Sequence, residues 1–266
     1  MTAVAVEHRQ SPTRAVPRPV SMARLTALEL RKMFDTRSGF WLMASIAIAA
    51  VVATGAVIVF ATDEALIYST FATAIGFPMA VILPMVAILS VTSEWSQRSG
   101  LTTFTLVPRR GRVIAAKAFA SIGVGVASMG LAFAVGAVGN VVGTSITGAP
   151  LVWDMSPSDA VFIVLANVLG LLVGFMLGVL IRSSAGALVA YFVYSLLLPS
   201  LFGLLAATQT WFRDLQAWVD FNYAQTVLFD GAPTSEQWAH LATAGTIWLV
   251  VPLAIGLVLV MRSEVK

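Results

Sequence analysis

Residues 161–181 read VFIVLANVLGLLVGFMLGVLI, without a single charged side chain. A helix needs about 20 residues to cross the hydrocarbon core of a bilayer, and this run has that length. Its apolar residues follow one another without the apolar and polar alternation of a membrane β-strand. The run therefore predicts a membrane-spanning helix.

The rest of the chain repeats this pattern. Of the 266 residues, 58% are apolar and 11% are charged, whereas soluble domains average about 25% charged residues. This composition argues against a soluble enzyme, a nucleic-acid-binding protein and a disordered linker. We expect an all-α polytopic domain over residues 38–262 with six spans, at about 40–60, 66–91, 118–143, 161–181, 186–208 and 241–261.

The basic residues predict the orientation of these spans. Of the 16 Lys and Arg residues, 15 fall on one side of the expected bilayer. The remaining one, Arg213, falls on the other side together with eight acidic residues. Cytoplasmic loops carry the excess of Lys and Arg. We therefore expect both termini in the cytoplasm, a flexible cytoplasmic tail over 1–20, and a multi-pass protein of the cell's inner (cytoplasmic) membrane.

Groups that support catalysis or ion coupling are scarce. The chain has no Cys, and its histidines are His8 and His240. We predict no catalytic residue and no metal site. No ionisable residue lies well inside a predicted span, which disfavours an ion-coupled transporter. The sequence also lacks the G-x-x-x-x-G-K-[ST] phosphate loop, so any nucleotide would be bound by another chain.

Polar and small residues within the spans suggest helix packing or a solute path. Asn140 and Asn167 are the strongest polar groups at membrane depth, and each predicts an interhelical hydrogen bond or a contact with a solute. Gly170, Gly174 and Gly178 share one helical face, for static packing or for a moving interface. Four prolines are expected to bend their helices: Pro78, Pro84, Pro199 and Pro252.

Two segments outside the spans are amphipathic. Residues 21–37 predict a short helix in the inner headgroup region, or a simple basic anchor. Its apolar side has Ala23, Ala27, Leu30 and Phe34, and its charged side has Arg24, Arg31, Lys32 and Asp35. The outer loop, 209–240, predicts a helix with an apolar stripe of Trp211, Leu215 and Trp218. That stripe indicates an interfacial aromatic belt or a gate above an exit path.

The loop over 93–112 mixes apolar and charged residues more than a solvated turn requires. Such a segment could bind in a groove of a soluble partner, or it could extend the flanking spans. We single out Glu94, Trp95, Arg98, Phe104, Pro108, Arg109 and Arg112.

This loop resembles the intracellular loop of actinobacterial ABC-2-type permeases over about 24 positions, from Glu94 to Lys117. Glu94, Pro108, Arg112 and Lys117 match the family's order of an acidic residue, Pro, Arg and Lys, while Gly100-Leu101-Thr102 replaces its Gly-Thr pair. The topology of the whole chain is similar as well.

The resemblance implies a half-transporter with an ABC-2, type V exporter-like, transmembrane domain. Two six-span subunits, identical or sister chains, would pair with each other in the lipid bilayer. Two separate ATPase subunits, which bind ATP and Mg, would dock from the cytoplasm. No nucleic acid is expected as a partner. The loop over 93–112 would couple to the ATPase, 21–37 would be the elbow helix, and the stretch after Trp211 would be an outer re-entrant region. An apolar or amphiphilic solute is expected. The alternatives are a non-transporting sensor or assembly partner on the same scaffold, and an ion-coupled transporter.

Overall fold

A computed structural model describes residues 20–35, 37–96 and 110–262, and these residues form helices and connecting segments without a β-strand. The side chains of 38, 94–96 and 110 are outside this description. The helices are α1 (Met22–Asp35), α2 (Arg37–Phe60), α3 (Tyr68–Ser96), α4 (Arg110–Thr147), α5 (Pro157–Ile181), α6 (Ser184–Thr208), α7 (Thr210–Val219), α8 (Phe221–Thr226) and α9 (Ser235–Arg262).

Six of these helices, α2 to α6 and α9, are long and apolar enough to cross a membrane. The expectation of six spanning helices in an all-helical protein is confirmed at this level. Helix α4 is the longest, with 38 residues. It starts eight residues before the expected span and ends four residues after it, because a helix continues into the headgroup region without needing apolar side chains.

Helices α5 and α9 begin before the spans expected at 161 and 241, because capping boxes define their first turns. At the start of α5, the Ser156 hydroxyl accepts from the Asp159 backbone N–H, and the Asp159 carboxylate accepts from the Ser156 N–H. Thr234 and Gln237 make the same reciprocal pair at the start of α9. This spacing of a capping residue and its N3 partner is readable in a sequence. Together with α7 and α8, this early start of α9 makes much of the expected outer loop over 209–240 helical.

Helix α3 lies at the centre of the bundle and packs against α2, α4 and α5. Ile75, Met79 and Leu83 on α3 are fully buried and join one apolar core with Leu171 and Phe175 of α5. Helix α6 is attached differently: its first half packs on α3 and α5, and its second half contacts α7. Much of the apolar surface of α6 remains exposed, as expected for a helix that faces lipid or another subunit.

π-Helical segments precede two of the four prolines that were expected to bend their helices. Val193–Leu197 precedes Pro199 in α6, and Thr246–Val250 precedes Pro252 in α9. A proline ring clashes with the carbonyl of the residue four positions earlier. Widening the preceding turn to π geometry relieves this clash, and such bulges are frequent at functional sites.

The bundle has two chemically distinct ends. The helix termini collect in two sets: the end of α3 meets the start of α6 through Thr92 and Ser184, and the start of α3 meets the segment after α4 through Ser69 and Asp154. We call one set the basic end, which carries Glu29 and Asp35 with Arg24, Arg31, Lys32, Arg37, Arg112, Lys117, Arg182 and Arg262. We call the other the acidic end, which carries Arg213 with Asp63, Glu64, Asp154, Asp159, Asp214, Asp220, Asp230 and Glu236.

Candidate functional site at the basic end

Helix α1 presents different chemistry on three faces. Leu25, Glu29 and Met33, spaced four residues apart, are buried where α1 packs on α4 and α2. Ala23, Ala27 and Phe34, the side expected to be apolar, remain exposed. An exposed apolar strip next to a protein-packed face fits a helix that lies along a bilayer surface.

The charged face of α1 is also exposed. Arg24, Arg31 and Lys32 are on this face, and Arg31 Nε lies 3.5 Å from Asp35 Oδ2. Leu30 lies between faces and is half-buried against the core. Helix α1, Met22–Asp35, occupies most of the range predicted at 21–37, and it packs on the bundle through a face that sequence analysis did not assign.

That face contains a buried ion pair. Lys117 Nζ of α4 lies 2.5 Å from Glu29 Oε2, and the two side chains are 4% and 8% exposed. Lys117 also donates to the Ser90 backbone carbonyl of α3 at 3.0 Å. Lys32 Nζ approaches the second carboxylate oxygen of Glu29 at 2.6 Å. The Lys117 ammonium group therefore joins α1, α3 and α4.

The environment of this pair makes it energetically sensitive. Moving charges out of water costs several kcal/mol per ion, and only close partners offset that cost. Ser90 adds a polar contact, because its hydroxyl lies 3.1 Å from that of Ser121 on α4. The charges of Glu29 and Lys117 are thus held between helices, next to the apolar core that contains Met33 and Ile114.

A second contact fastens the start of α1 to α4. An Arg112 guanidinium nitrogen donates to the Val20 carbonyl at 2.6 Å. Arg112 and Lys117 both belong to the first turns of α4, where the chain leaves the 93–112 segment. A displacement of that segment would therefore act on α1 at two points.

Sequence analysis missed Glu29 and noticed Lys117 only through the family resemblance. Glu29 lies four residues from both Leu25 and Met33 on one helical face, and this spacing places a carboxylate among apolar neighbours. That pattern was available in the sequence. The identity of its partner was not, because Lys117 is 88 residues away.

The structure describes only part of the proposed coupling loop. Glu94 and Trp95 belong to the last turn of α3, although their side chains are outside the description, and Arg112 belongs to α4. Four expected residues lie outside the described residues: Arg98, Phe104, Pro108 and Arg109.

The two asparagines make contacts that were not expected. Asn140 is fully buried, and its Nδ2 donates to the Val152 carbonyl in the segment after α4, at 2.9 Å. Asn167 Nδ2 donates to the Ile163 carbonyl within its own helix, also at 2.9 Å. Neither described contact joins two spanning helices. The Asn140 side-chain oxygen, Oδ1, has no hydrogen-bond partner in the described ranges.

The glycine face of α5 serves close packing at two of its three positions. A Cβ on Gly174 would lie 2.6 Å from the Pro84 carbonyl oxygen of α3, and one on Gly178 would lie 3.4 Å from Ile88 Cα. A Cβ on Gly170 would meet no atom within 4 Å. Packing therefore accounts for Gly174 and Gly178, whose missing side chains let the α3 backbone approach.

At the acidic end, the segment over 148–156 is tied down by polar groups. Tyr68 N–H donates to the Val152 carbonyl, and Ser69 donates to Asp154 from both its backbone N–H and its hydroxyl. Burial raises the pKa of Asp154, but the Ser69 hydrogen bonds favour the carboxylate, and the net effect is a pKa below the usual value.

Helix α7, in the expected outer gate, turns its aromatic stripe outward. Trp211, Leu215 and Trp218 are all exposed, while Phe212 is buried with its ring 5.5 Å from that of Phe202. The exposed stripe fits an aromatic belt at a membrane interface.

Both ends of α7 are held by side-chain donors. Arg213 Nε donates to the Ala206 carbonyl at the end of α6, at 3.0 Å. Trp248 Nε1 donates to the Val219 carbonyl at 2.7 Å. Trp248 belongs to the π-helical segment of α9, so this segment is directly connected to the outer helix.

Among the described residues, no group of three or more His, Asp or Glu side chains could hold a metal ion. No family model and no curated protein matches the chain.

Proposed function

We propose that this chain is the membrane-spanning permease subunit of an ATP-driven exporter. In this proposal, two permease subunits, identical or sister chains, pair with two copies of a separate ATPase chain that binds ATP and Mg. The basic end faces the cytoplasm of a cell membrane, in keeping with the positive-inside rule. The subunit moves an apolar or amphiphilic solute by alternating access.

The observation that supports this proposal is the buried Glu29–Lys117 pair, which joins α1 to the first turns of α4. A permease without a nucleotide site needs a structural connection that transmits force from a cytoplasmic partner to its membrane helices. The segment over 93–112 is the partner-facing candidate, through its resemblance to ABC-2 permease loops. Because Arg112 is the last residue of this segment and Lys117 lies five residues further on, force on the segment would reach α1 and α3 together with α4.

The apolar spans support the solute class. The described ionisable side chains collect at the two ends of the bundle, and the exposed surface of the spans is rich in large apolar residues. A path between two such subunits would attract a lipid-like or amphiphilic molecule, because charged solutes lose their hydration without compensation.

The first test is affinity capture of the tagged protein in mild detergent, with mass identification of its partners and an ATPase assay. We expect a P-loop ATPase in stoichiometric amount. Capture of a different soluble protein without transport would support the sensor or assembly function and overturn the proposal. Transport driven by an ion gradient without ATP would also overturn it.

The second test separates coupling from assembly. We expect Arg112→Ala to leave the complex assembled and hydrolysing ATP while solute transport falls. Arg262→Ala is the matched control, because Arg262 is an exposed arginine at the same end of the bundle. Unchanged transport in Arg112→Ala, or an equal loss in both variants, would contradict a coupling role.

A further inference from the structure

At the acidic end, a histidine connects α7 to the last spanning helix. His240 lies in the second turn of α9, and its ring centroid is 4.3 Å from that of Trp218 on α7, with the ring planes at 81°. The His240 side chain is 14% exposed. Its Nε2 is buried and has no hydrogen-bond partner within the described part of the chain. Such an unpaired buried nitrogen costs stability.

A carboxylate lies just beyond hydrogen-bond distance of this nitrogen. Glu236, one helical turn before His240, places Oε1 at 3.7 Å from Nε2 and is itself largely exposed. A neutral imidazole has one N–H group, whereas the protonated ring has a donor on both nitrogens. Protonation therefore guarantees a donor on Nε2 and adds a positive charge that attracts the Glu236 carboxylate. The same charge lies close to the Trp218 indole, whose ring centroid is 4.3 Å away, within the range of a cation–π contact.

Other ionisable groups on the neighbouring elements have different contacts. On α7, Arg213 donates to the Ala206 carbonyl, and Asp214 is exposed. Asp220, between α7 and α8, accepts from the Tyr223 backbone N–H and from Gln216, and the Tyr223 side chain is exposed. Among the described carboxylates, Glu236 is the one within ion-pair distance of His240.

We propose that His240 forms a proton-dependent contact that holds α7 against α9. When the ring takes up a proton, its attraction to Trp218 strengthens, and α7 is held more firmly. Its attraction to Glu236 strengthens as well, but that contact lies within α9. When the ring loses the proton, the contact weakens. A more acidic solution at the acidic end favours the protonated ring, and it would therefore stabilise the position of α7. This inference does not depend on the proposed transport function.

The consequence would extend into the membrane. Helix α7 also accepts a hydrogen bond from Trp248 in the π-helical segment of α9. The Trp248 ring lies 5.8 Å from that of Tyr194 in the π-helical segment of α6. The two bulged segments are therefore linked to the outer helix, and a firmer α7 would restrict both of them.

The test is amide hydrogen exchange of the full chain in lipid nanodiscs at pH 5.5 and pH 7.5, corrected for the intrinsic pH dependence. We expect exchange in α7 to be about two- to fivefold slower at pH 5.5, the factor that corresponds to one partly exposed cation–π contact. His240→Gln should abolish this difference, and Glu236→Gln should reduce it. His8→Gln, which removes the other histidine of the chain, is the matched control and should retain it.

A pH difference that persists in His240→Gln, or that is absent from the unmodified protein, would overturn the proposal. Histidine NMR titration of the unmodified protein gives an independent measurement if His240→Gln does not fold. The indole N–H signal of Trp218 should then shift with the titration of His240. A Trp218 signal that does not change while His240 titrates would also overturn it.

Discussion

Removing one member of the Glu29–Lys117 pair should destabilise the protein far more than removing both. Glu29→Leu leaves the buried Lys117 ammonium without this carboxylate, although the Ser90 carbonyl still accepts from it. Breaking a buried pair in this way costs about 3–5 kcal/mol in the free energy of unfolding. Replacing both charges by apolar groups of similar size is often neutral.

The structure predicts that the two single variants differ. Lys117→Met leaves the Glu29 carboxylate close to Lys32, whose ammonium lies 2.6 Å from Oε1. This partial compensation makes Lys117→Met the milder of the two. The double variant, Glu29→Leu with Lys117→Met, should return to within about 1 kcal/mol of the unmodified protein, because no unpaired charge remains from this contact.

Thermal unfolding in detergent measures these differences. For a chain of this size, 1 kcal/mol corresponds to about 2–4 °C in the midpoint, so Glu29→Leu should lower the midpoint by about 6–20 °C. Arg31→Met is the matched control, because Arg31 forms an exposed pair with Asp35. We expect an effect of about 0.5 kcal/mol there.

The double-mutant cycle decides whether the reasoning holds. Additive effects of Glu29→Leu and Lys117→Met would mean that the two groups do not interact, and the described contact would then make no energetic contribution. Small effects in both single variants would show that water reaches the pair and screens it.

Two further predictions concern helix packing and pH. Gly174→Ala should cost about 1–3 kcal/mol in the free energy of unfolding, because its Cβ would lie 2.6 Å from the Pro84 carbonyl oxygen. Gly170→Ala, which meets no neighbour within 4 Å, should leave the unfolding midpoint unchanged or raise it. Asp154 has a lowered pKa, so its stabilising contribution is present above the unfolded-state pKa of about 3.9. That contribution is lost as the pH falls through the lower folded-state pKa. Ser69→Ala should reduce this acid-dependent loss of stability in thermal melts between pH 5 and 3. An unchanged loss would contradict the role of the Ser69 hydrogen bonds in stabilising the Asp154 carboxylate.

The hydropathy of the sequence was enough to predict the six spanning helices. Charge-free runs of about 20 residues leave few alternatives in a bilayer, since every backbone polar group must be satisfied within the segment. The amphipathic helix at 21–37 and the helix beginning near Trp211 were predictable from periodicity, because the side chains of a helix repeat every 3.6 residues.

Helix boundaries were less accurate for a physical reason. Outside the hydrocarbon core, helix ends depend on capping rather than on hydropathy. The starts of α5 and α9 follow Ser156 and Thr234, each paired with a residue three positions later. These signals were present in the sequence, but they carry no hydrophobic signature.

Contacts distant along the chain depended on the tertiary structure. The sequence contains Glu29, Lys117, His240 and Trp218 as isolated residues, and periodicity gives only the helical face on which each one lies. Which faces meet is decided by the packing of the whole bundle, which places α1 on α4 and α7 on α9. Burial in that packing is what makes a charge or a ring nitrogen sensitive to its partner. The sequence thus determined the membrane helices and the charge asymmetry of their ends, and only the tertiary structure decided which polar groups act together.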